Sequence, residues 1–203
     1  MPVSASAIED YVKVIYAHTE WQSEPITSSV LAARLGLAAS SVTEMIKKLV
    51  VQGLVLHEPY GAIELTPSGR RLALGIVRRH RLIETWLVEQ LGYRWDEVHD
   101  EAEVLEHAVS DRLLDALDAR LGHPTSDPHG DPIPTSDLDV VMPDAVLLST
   151  AESGGTIARV SDRDPMLLRY LAAEGLSIGA RLTAQRRGEM PTDALDAIWV
   201  IPD

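Results

Sequence analysis

The spacing of apolar residues changes period once along the chain, and that change limits the fold more than any other feature. Up to about Leu121 they recur at helical intervals; beyond Ala145 they gather in short strand-like runs. Between the two lies His123-Pro124-Thr125-Ser126-Asp127-Pro128-His129-Gly130-Asp131-Pro132-Ile133-Pro134. That stretch is too rich in Pro and Asp for a regular element, so it reads as a linker or an ordered loop. With 203 residues, 45% of them hydrophobic, the chain can pack one large domain or two to three small ones. The expected class is mainly α with a small β-part near the C-terminus.

Ile8, Val12, Ile15 and Tyr16 mark an amphipathic first helix. Thr27 or Ser28 can cap a short second helix through Leu35, which Gly36 ends. Ser40-Ser41 is expected to cap a third, with Val42, Met45, Ile46, Leu49 and Val50 on its apolar face and Gly53 closing it. Leu54-Val55-Leu56 and Ile63-Glu64-Leu65 read as a hairpin around Pro59-Tyr60-Gly61. Thr66-Pro67-Ser68-Gly69 opens a long helix to about Leu91, followed by helices from about Trp95 to Val109 and on to Leu121. Strands are expected at Val146–Leu148, Thr156–Val160, Arg181–Ala184 and Ala197–Ile201, interrupted by a helix at Pro165–Ala173. Five or so strands in so short a span suggest a small β-barrel.

Helix, short helix, turn, helix and hairpin is the order of a winged helix-turn-helix, whose second motif helix enters the DNA major groove. The net charge of −13 hides a local balance: residues 25–82 carry 8 basic and 3 acidic side chains, whereas 95–203 carry 8 and 22. Ser40, Ser41, Thr43, Glu44, Lys47 and Lys48 share the polar face of the third helix, and Thr27 stands at the entrance to the second. Small hydroxyls suit phosphates and base edges; Lys47 and Lys48 add charge toward phosphate. These seven residues are the DNA-contact candidates.

His99, Glu103, Glu106 and His107, taken on one helix, fall within a sector of about 100° at 100° per residue. His80 and Glu84 stand one turn apart on the preceding helix. Histidines and carboxylates on adjacent helices form the N/O donor set that suits Mn²⁺, Fe²⁺, Co²⁺ or Zn²⁺. Zero cysteines exclude disulfides, thiolate zinc, iron–sulfur clusters and a cysteine nucleophile. The sequence has no H-E-x-x-H pair, no G-x-S-x-G elbow and no phosphate-cradling Gly-rich loop. No apolar run approaches the roughly 18 residues of a bilayer span, and Met1-Pro2-Val3-Ser4-Ala5-Ser6 shows no leader, so a cytoplasmic protein without membrane attachment is expected.

The chain resembles the iron- and manganese-dependent repressors typified by the diphtheria toxin repressor. The resemblance is carried by Glu9-Asp10-Tyr11 with Ile15-Tyr16, Ser41-Val42-Thr43, Leu65-Thr66-Pro67-Ser68-Gly69 and Arg79-His80-Arg81-Leu82 with Glu84. It continues in Val98-His99-Asp100-Glu101-Ala102-Glu103, Glu106-His107-Ala108-Val109-Ser110 and Pro128-His129-Gly130-Asp131-Pro132-Ile133-Pro134. The resemblance implies a winged helix-turn-helix over 1–70, a helical dimerisation and metal domain over 71–143 with its linker at 123–143, and an SH3-like barrel over 144–203. It also implies a primary metal site of Asp10, Glu103, Glu106 and His107. A second would use His80, Glu84 and His99 with a barrel carboxylate, Asp162 or Asp164.

Iron-responsive members usually carry Met and Cys where this chain has Asp10 and Glu103, and two oxygens in place of two sulfurs favour Mn²⁺. Lys13 replaces a bridging Glu of some manganese-type members, which argues against a closely bridged two-metal cluster. The expected function is a Mn²⁺-activated repressor of metal-homeostasis genes that binds palindromic double-stranded DNA as a homodimer; Fe²⁺, Co²⁺ or Zn²⁺ could substitute in vitro. An Fe²⁺-dependent regulator is the first rival, and a metallohydrolase with an accessory DNA-binding domain is a remote one.

Overall fold

The computed structural model describes residues 5–58 and 61–203; the expected hairpin turn residues Pro59 and Tyr60, and Met1–Ser4, lie outside them. The chain divides into two compact units, Met1–Arg78 and Arg79–Asp203.

In the first unit α1 (Ala5–Thr19), α2 (Ser28–Leu35) and α3 (Ala39–Val51) precede β1 (Val55–His57) and β2 (Ile63–Leu65), and α4 (Pro67–Leu91) begins. Thr27 caps α2, its hydroxyl accepting from Val30 N. Gly36, in the left-handed conformation, ends it with its N–H on Ala33 O, while Leu37 N–H reaches Ala32 O. That double closure leaves only a three-residue turn. α3 therefore starts at Ala39 with Ala38 as a cap that offers no side chain, and the expected Ser40-Ser41 cap is corrected: both serines lie inside the first turn. Tyr11, Ile15, Ile26, Leu31, Val42, Ile46, Leu49, Val55 and Ile63 form the core. β1 and β2 pair antiparallel from Val55–Leu65 to His57–Ile63, and Ile63 N–H donates to Ile26 O. Thr66 ties the wing to α4, donating to Gly53 O (2.7 Å) and accepting from Gly69 N (3.0 Å). At Gly69 a Cβ would stand 1.9 Å from Leu54 O, so only glycine allows that approach.

The second unit holds the rest of α4, then α5 (Val98–Leu105) and α6 (Asp111–Leu121), capped by Ser110. Next come β3 (Val146–Leu147), β4 (Gly155–Val160), α7 (Pro165–Ala173), β5 (Arg181–Leu182), α8 (Ala184–Gly188), α9 (Thr192–Leu195) and β6 (Ile198–Pro202). The strands form one antiparallel sheet in the order β3-β6-β4-β5, the expected SH3-like part, with Leu148, Ile157, Leu168, Leu171, Ile198 and Val200 in its core. Two expectations are corrected. The strand at 181–184 stops at Leu182 because Thr183 caps α8. The helix expected over 95–109 ends at Leu105, where the N–H groups of Ala108 and Val109 both fold back onto Leu105 O. The Pro-rich stretch is an ordered loop, with Asp127, His129, Asp131 and Ile133 buried. No single helix among the described residues is long and apolar enough to cross a membrane.

Candidate metal centre and nucleic-acid interface

In the second unit α4 contributes His80 and Glu84, one turn apart and both buried. His80 is held at both ring nitrogens: Nδ1 donates to Glu106 Oε2 at 2.6 Å, and Nε2 stands 3.0 Å from Glu84 Oε1. α5 contributes His99 and Glu103. His99 lies edge-on to His80, ring centres 4.9 Å apart, with Nδ1 3.4 Å from Glu84 Oε1 and Nε2 3.5 Å from Glu103 Oε1. Glu106 and His107 are not on α5 as expected. They occupy the turn after it, where Glu106 is fully buried and its Oε1 lies 3.6 Å from His107 Nε2.

The loop after β4 contributes Asp162, whose Oδ2 is 3.2 Å from His99 Nδ1. Asp164, the alternative, faces away from that role: its carboxylate accepts from Met166 N at 2.8 Å and caps α7. Sequence reasoning missed two further residues. The loop between α6 and β3 carries Asp127 and His129 to the far side of Glu84, with His129 Nδ1 3.7 Å from Glu84 Oε2. An Asp-x-His pair inside an acidic, Pro-rich stretch was the available signal. Asp10 lies on α1 in the first unit, half-buried.

The electrostatics turn on Glu84. Burial opposes its charge, yet His80, His129 and His99 hold it well below the usual carboxylate range. Burial likewise disfavours charged His99 and His129, but the surrounding carboxylates outweigh it and raise both to about 10. Asp162 is shifted down by His99 against its own burial. Asp127, buried beside Asp131 and Glu84, is pushed up to about 8.

These donors fit a divalent cation. Glu84 Oε1, His99 Nδ1 and His129 Nδ1 are buried without an aligned hydrogen bond. His129 donates Nε2–H to Trp95 O at 2.7 Å, which fixes the tautomer and turns the Nδ1 lone pair toward Glu84. Imidazole lone pairs facing carboxylate oxygens need protons or a cation between them. A hard first-row ion suits a set with no sulfur donor.

The nucleic-acid face belongs to the first unit. Ser40, Ser41, Thr43, Glu44, Lys47 and Lys48 are all exposed on α3, and Thr27 is exposed at the entrance to α2. Thr27 and Ser29 hydroxyls are 3.0 Å apart, beside a groove of about 890 Å³ that Thr43, Lys47 and Val51 also line. Thr43 donates to Ala39 O, and Lys47 is paired with Glu44 at 2.7 Å. The first-turn N–H groups of α3, given no side-chain cap, can receive a phosphate.

A winged helix bearing a polar recognition face, together with a His–carboxylate centre, defines a metal-responsive DNA-binding regulator. Comparison with known proteins agrees. Residues 5–63 match the iron dependent repressor N-terminal DNA binding domain, and residues 66–135 match the iron dependent repressor metal binding and dimerisation domain. A solved structure described as a manganese-dependent transcriptional repressor complex with manganese is 49% identical; the match covers 97% of this chain and 100% of that one, with a TM-score of 0.91. The iron-dependent repressor IdeR of Mycobacterium leprae is 32% identical over 87% of this chain and 83% of its own length. An HTH-type transcriptional regulator of Methanocaldococcus jannaschii is 41% identical over 56% of this chain and 90% of its own. The chain belongs to the iron-dependent repressor family, that of the diphtheria toxin repressor, whose members are DNA-binding transcriptional repressors and not enzymes.

Proposed function

We propose that this protein is a Mn²⁺-activated transcriptional repressor of metal-homeostasis genes, acting in the cytoplasm as a homodimer on palindromic DNA. The observation that carries this reading is the donor set: histidine nitrogens and carboxylate oxygens converge on Glu84 and Glu106 with no sulfur among them. The solved manganese-bound repressor at 49% identity supports the same choice of metal.

Two ligand groups are proposed. Glu103, Glu106 and His107 form the first, completed by Asp10 on the strength of the sequence. His80, Glu84, His99 and Asp162 form the second, with His129 and Asp127 on the far side of Glu84; His80 also meets Glu106 of the first group. A bound cation would neutralise carboxylates that otherwise repel one another. Asp10 belongs to the DNA-binding unit, so a ligand role there makes DNA affinity depend on the ion, and reciprocally. Leu91, Val104 and Leu113 are large apolar side chains left exposed on the helices of the second unit, which supports a partner-covered surface. The chain is read as three parts that meet at about residues 70 and 143: DNA-binding, dimerisation and metal-binding, and SH3-like.

The test is binding of duplex DNA by purified, metal-stripped protein titrated with Mn²⁺, Fe²⁺ and Zn²⁺ at matched free ion activities. Activation by Mn²⁺ at its physiological activity supports the reading. Activation by Fe²⁺ alone transfers the protein to the iron-responsive class.

A further inference from the structure

α3 carries a single carboxylate, Glu44, and it stands in the middle of the exposed face. On a surface that meets polyphosphate a carboxylate is repelled, so its presence among serines, a threonine and two lysines calls for a reason. Glu44 is not there to fill the core: its side chain is 64% exposed. Among the described residues its partner is Lys47, 67% exposed, whose Nζ donates to Glu44 Oε1 at 2.7 Å from one helical turn away. The hydrogen bond from Lys47, with the charges of Lys47 and Lys48, lowers the pKa of the carboxyl from its ordinary value. The pair therefore presents an acceptor-only group beside an ammonium with two N–H donors uncommitted by that bond.

The base edges of the major groove answer such a group in one way. Guanine and thymine offer acceptors at N7, O6 and O4, which a carboxylate repels. Adenine offers N6–H₂ next to the acceptor N7, an edge matched by an amide and not by a carboxylate. Cytosine offers N4–H₂ with no acceptor beside it on the same base. Resting on the repressor reading above, we infer that Glu44, oriented and charge-balanced by Lys47, selects a cytosine in each half-site of the operator. The remaining donors of Lys47 then face the guanine O6 of the same pair. Thr43, its hydroxyl hydrogen given to Ala39 O at 2.9 Å, keeps only acceptor capacity and cannot substitute for Lys47 as a donor.

The experiment uses the full chain loaded with Mn²⁺ and a library of random duplex DNA, from which bound sequences are enriched. Wild type should fix one cytosine per half-site. Replacing it in the enriched duplex should weaken binding between about fivefold and 150-fold, the range of one good base contact. Glu44→Gln should move the preference at that position from C to A, because an amide pairs with adenine N6 and N7. Glu44→Ala should bind all four bases there within about twofold while its other base preferences stay as in wild type. If both variants keep the wild-type base at every position, the inference is wrong while the repressor reading stands. If wild type enriches no sequence under Mn²⁺ saturation, the repressor reading falls and the inference falls with it.

Discussion

Gly130 links the architecture of the second unit to its metal centre, and Gly130→Ala should break both. Its φ of +88° is left-handed, which costs an L-residue about 1–2 kcal/mol. Space is the larger obstacle. A Cβ would stand 2.0 Å from Ala158 O and 2.9 Å from Arg159 Cα, where a comfortable C···O approach is roughly 3.3 Å. Both obstructing groups are β4 backbone, so the loop must move away by about an ångström. Val160 N–H donates to His129 O at 2.8 Å, and losing that bond removes about 1 kcal/mol. Arg159 Nε donates to Asp131 Oδ1 at 2.7 Å with both groups buried, and loosening a buried pair costs up to about 3 kcal/mol. The sum is about 2–6 kcal/mol, a large part of the 5–15 kcal/mol typical of a domain. His129 and Asp127 move with the loop, so affinity for a second Mn²⁺ should fall at least tenfold while the Glu103–Glu106–His107 group keeps its ion. Chemical denaturation and calorimetric Mn²⁺ titration measure the two effects. Gly122→Ala is the control: its φ is +78° with nothing near the new Cβ, so it should lose only about 1 kcal/mol and no metal. Gly130→Ala with the stability and stoichiometry of Gly122→Ala would refute the reasoning.

Three further outcomes are expected. Lys48→Ala should weaken binding to all duplex sequences alike and lower the salt slope by about one unit; an unchanged slope places the DNA surface elsewhere. Glu103→Cys should shift activation from Mn²⁺ toward Fe²⁺ or Co²⁺, because a thiolate softens the site, and an unchanged metal order in the DNA-binding titration sinks the hard-ligand argument. The metal-free protein should lose stability as pH rises from 6.5 to 9. His99 and His129 are raised from 6.5 to about 10, and Asp127 from 3.8 to about 8, so each favours the protonated folded chain. Such contributions are full below the unfolded pKa and fade as pH climbs through the folded one. Glu84 and Asp162 are shifted down, so their contributions are already complete above about pH 4.5 and leave this window alone. A thermal midpoint that rises between pH 6.5 and 9 in chelator-treated protein contradicts this.

The order of elements through Leu91 was legible because each signal is local. Helical period, the Thr27 cap, left-handed glycines at 36 and 53, and two short apolar runs each act within a few residues of chain. The pairs His80/Glu84 and His99/Glu103 were legible for the same reason, since one turn of helix fixes their common face. Continuity misled where the chain bends. Val98, Ala102, Leu105 and Val109 keep helical spacing through a turn that leaves the helix, so spacing alone puts Glu106 and His107 on α5. Spacing could not say that Ser40 and Ser41 lie inside α3, because the start of that helix is set by how α2 closes. The choice between Asp162 and Asp164 belonged to tertiary structure: one meets His99 across 63 residues of chain, and the other is consumed by its own helix cap. His129 and Asp127 were likewise invisible as neighbours of Glu84, because the loop that carries them has no period of its own. Its position is decided by the Gly130 contact with β4, by the Arg159–Asp131 ion pair and by the hydrogen bond that Arg81 donates to Pro132 O. Sequence determined which donors exist and which pairs share a face; long-range packing determined which of them converge.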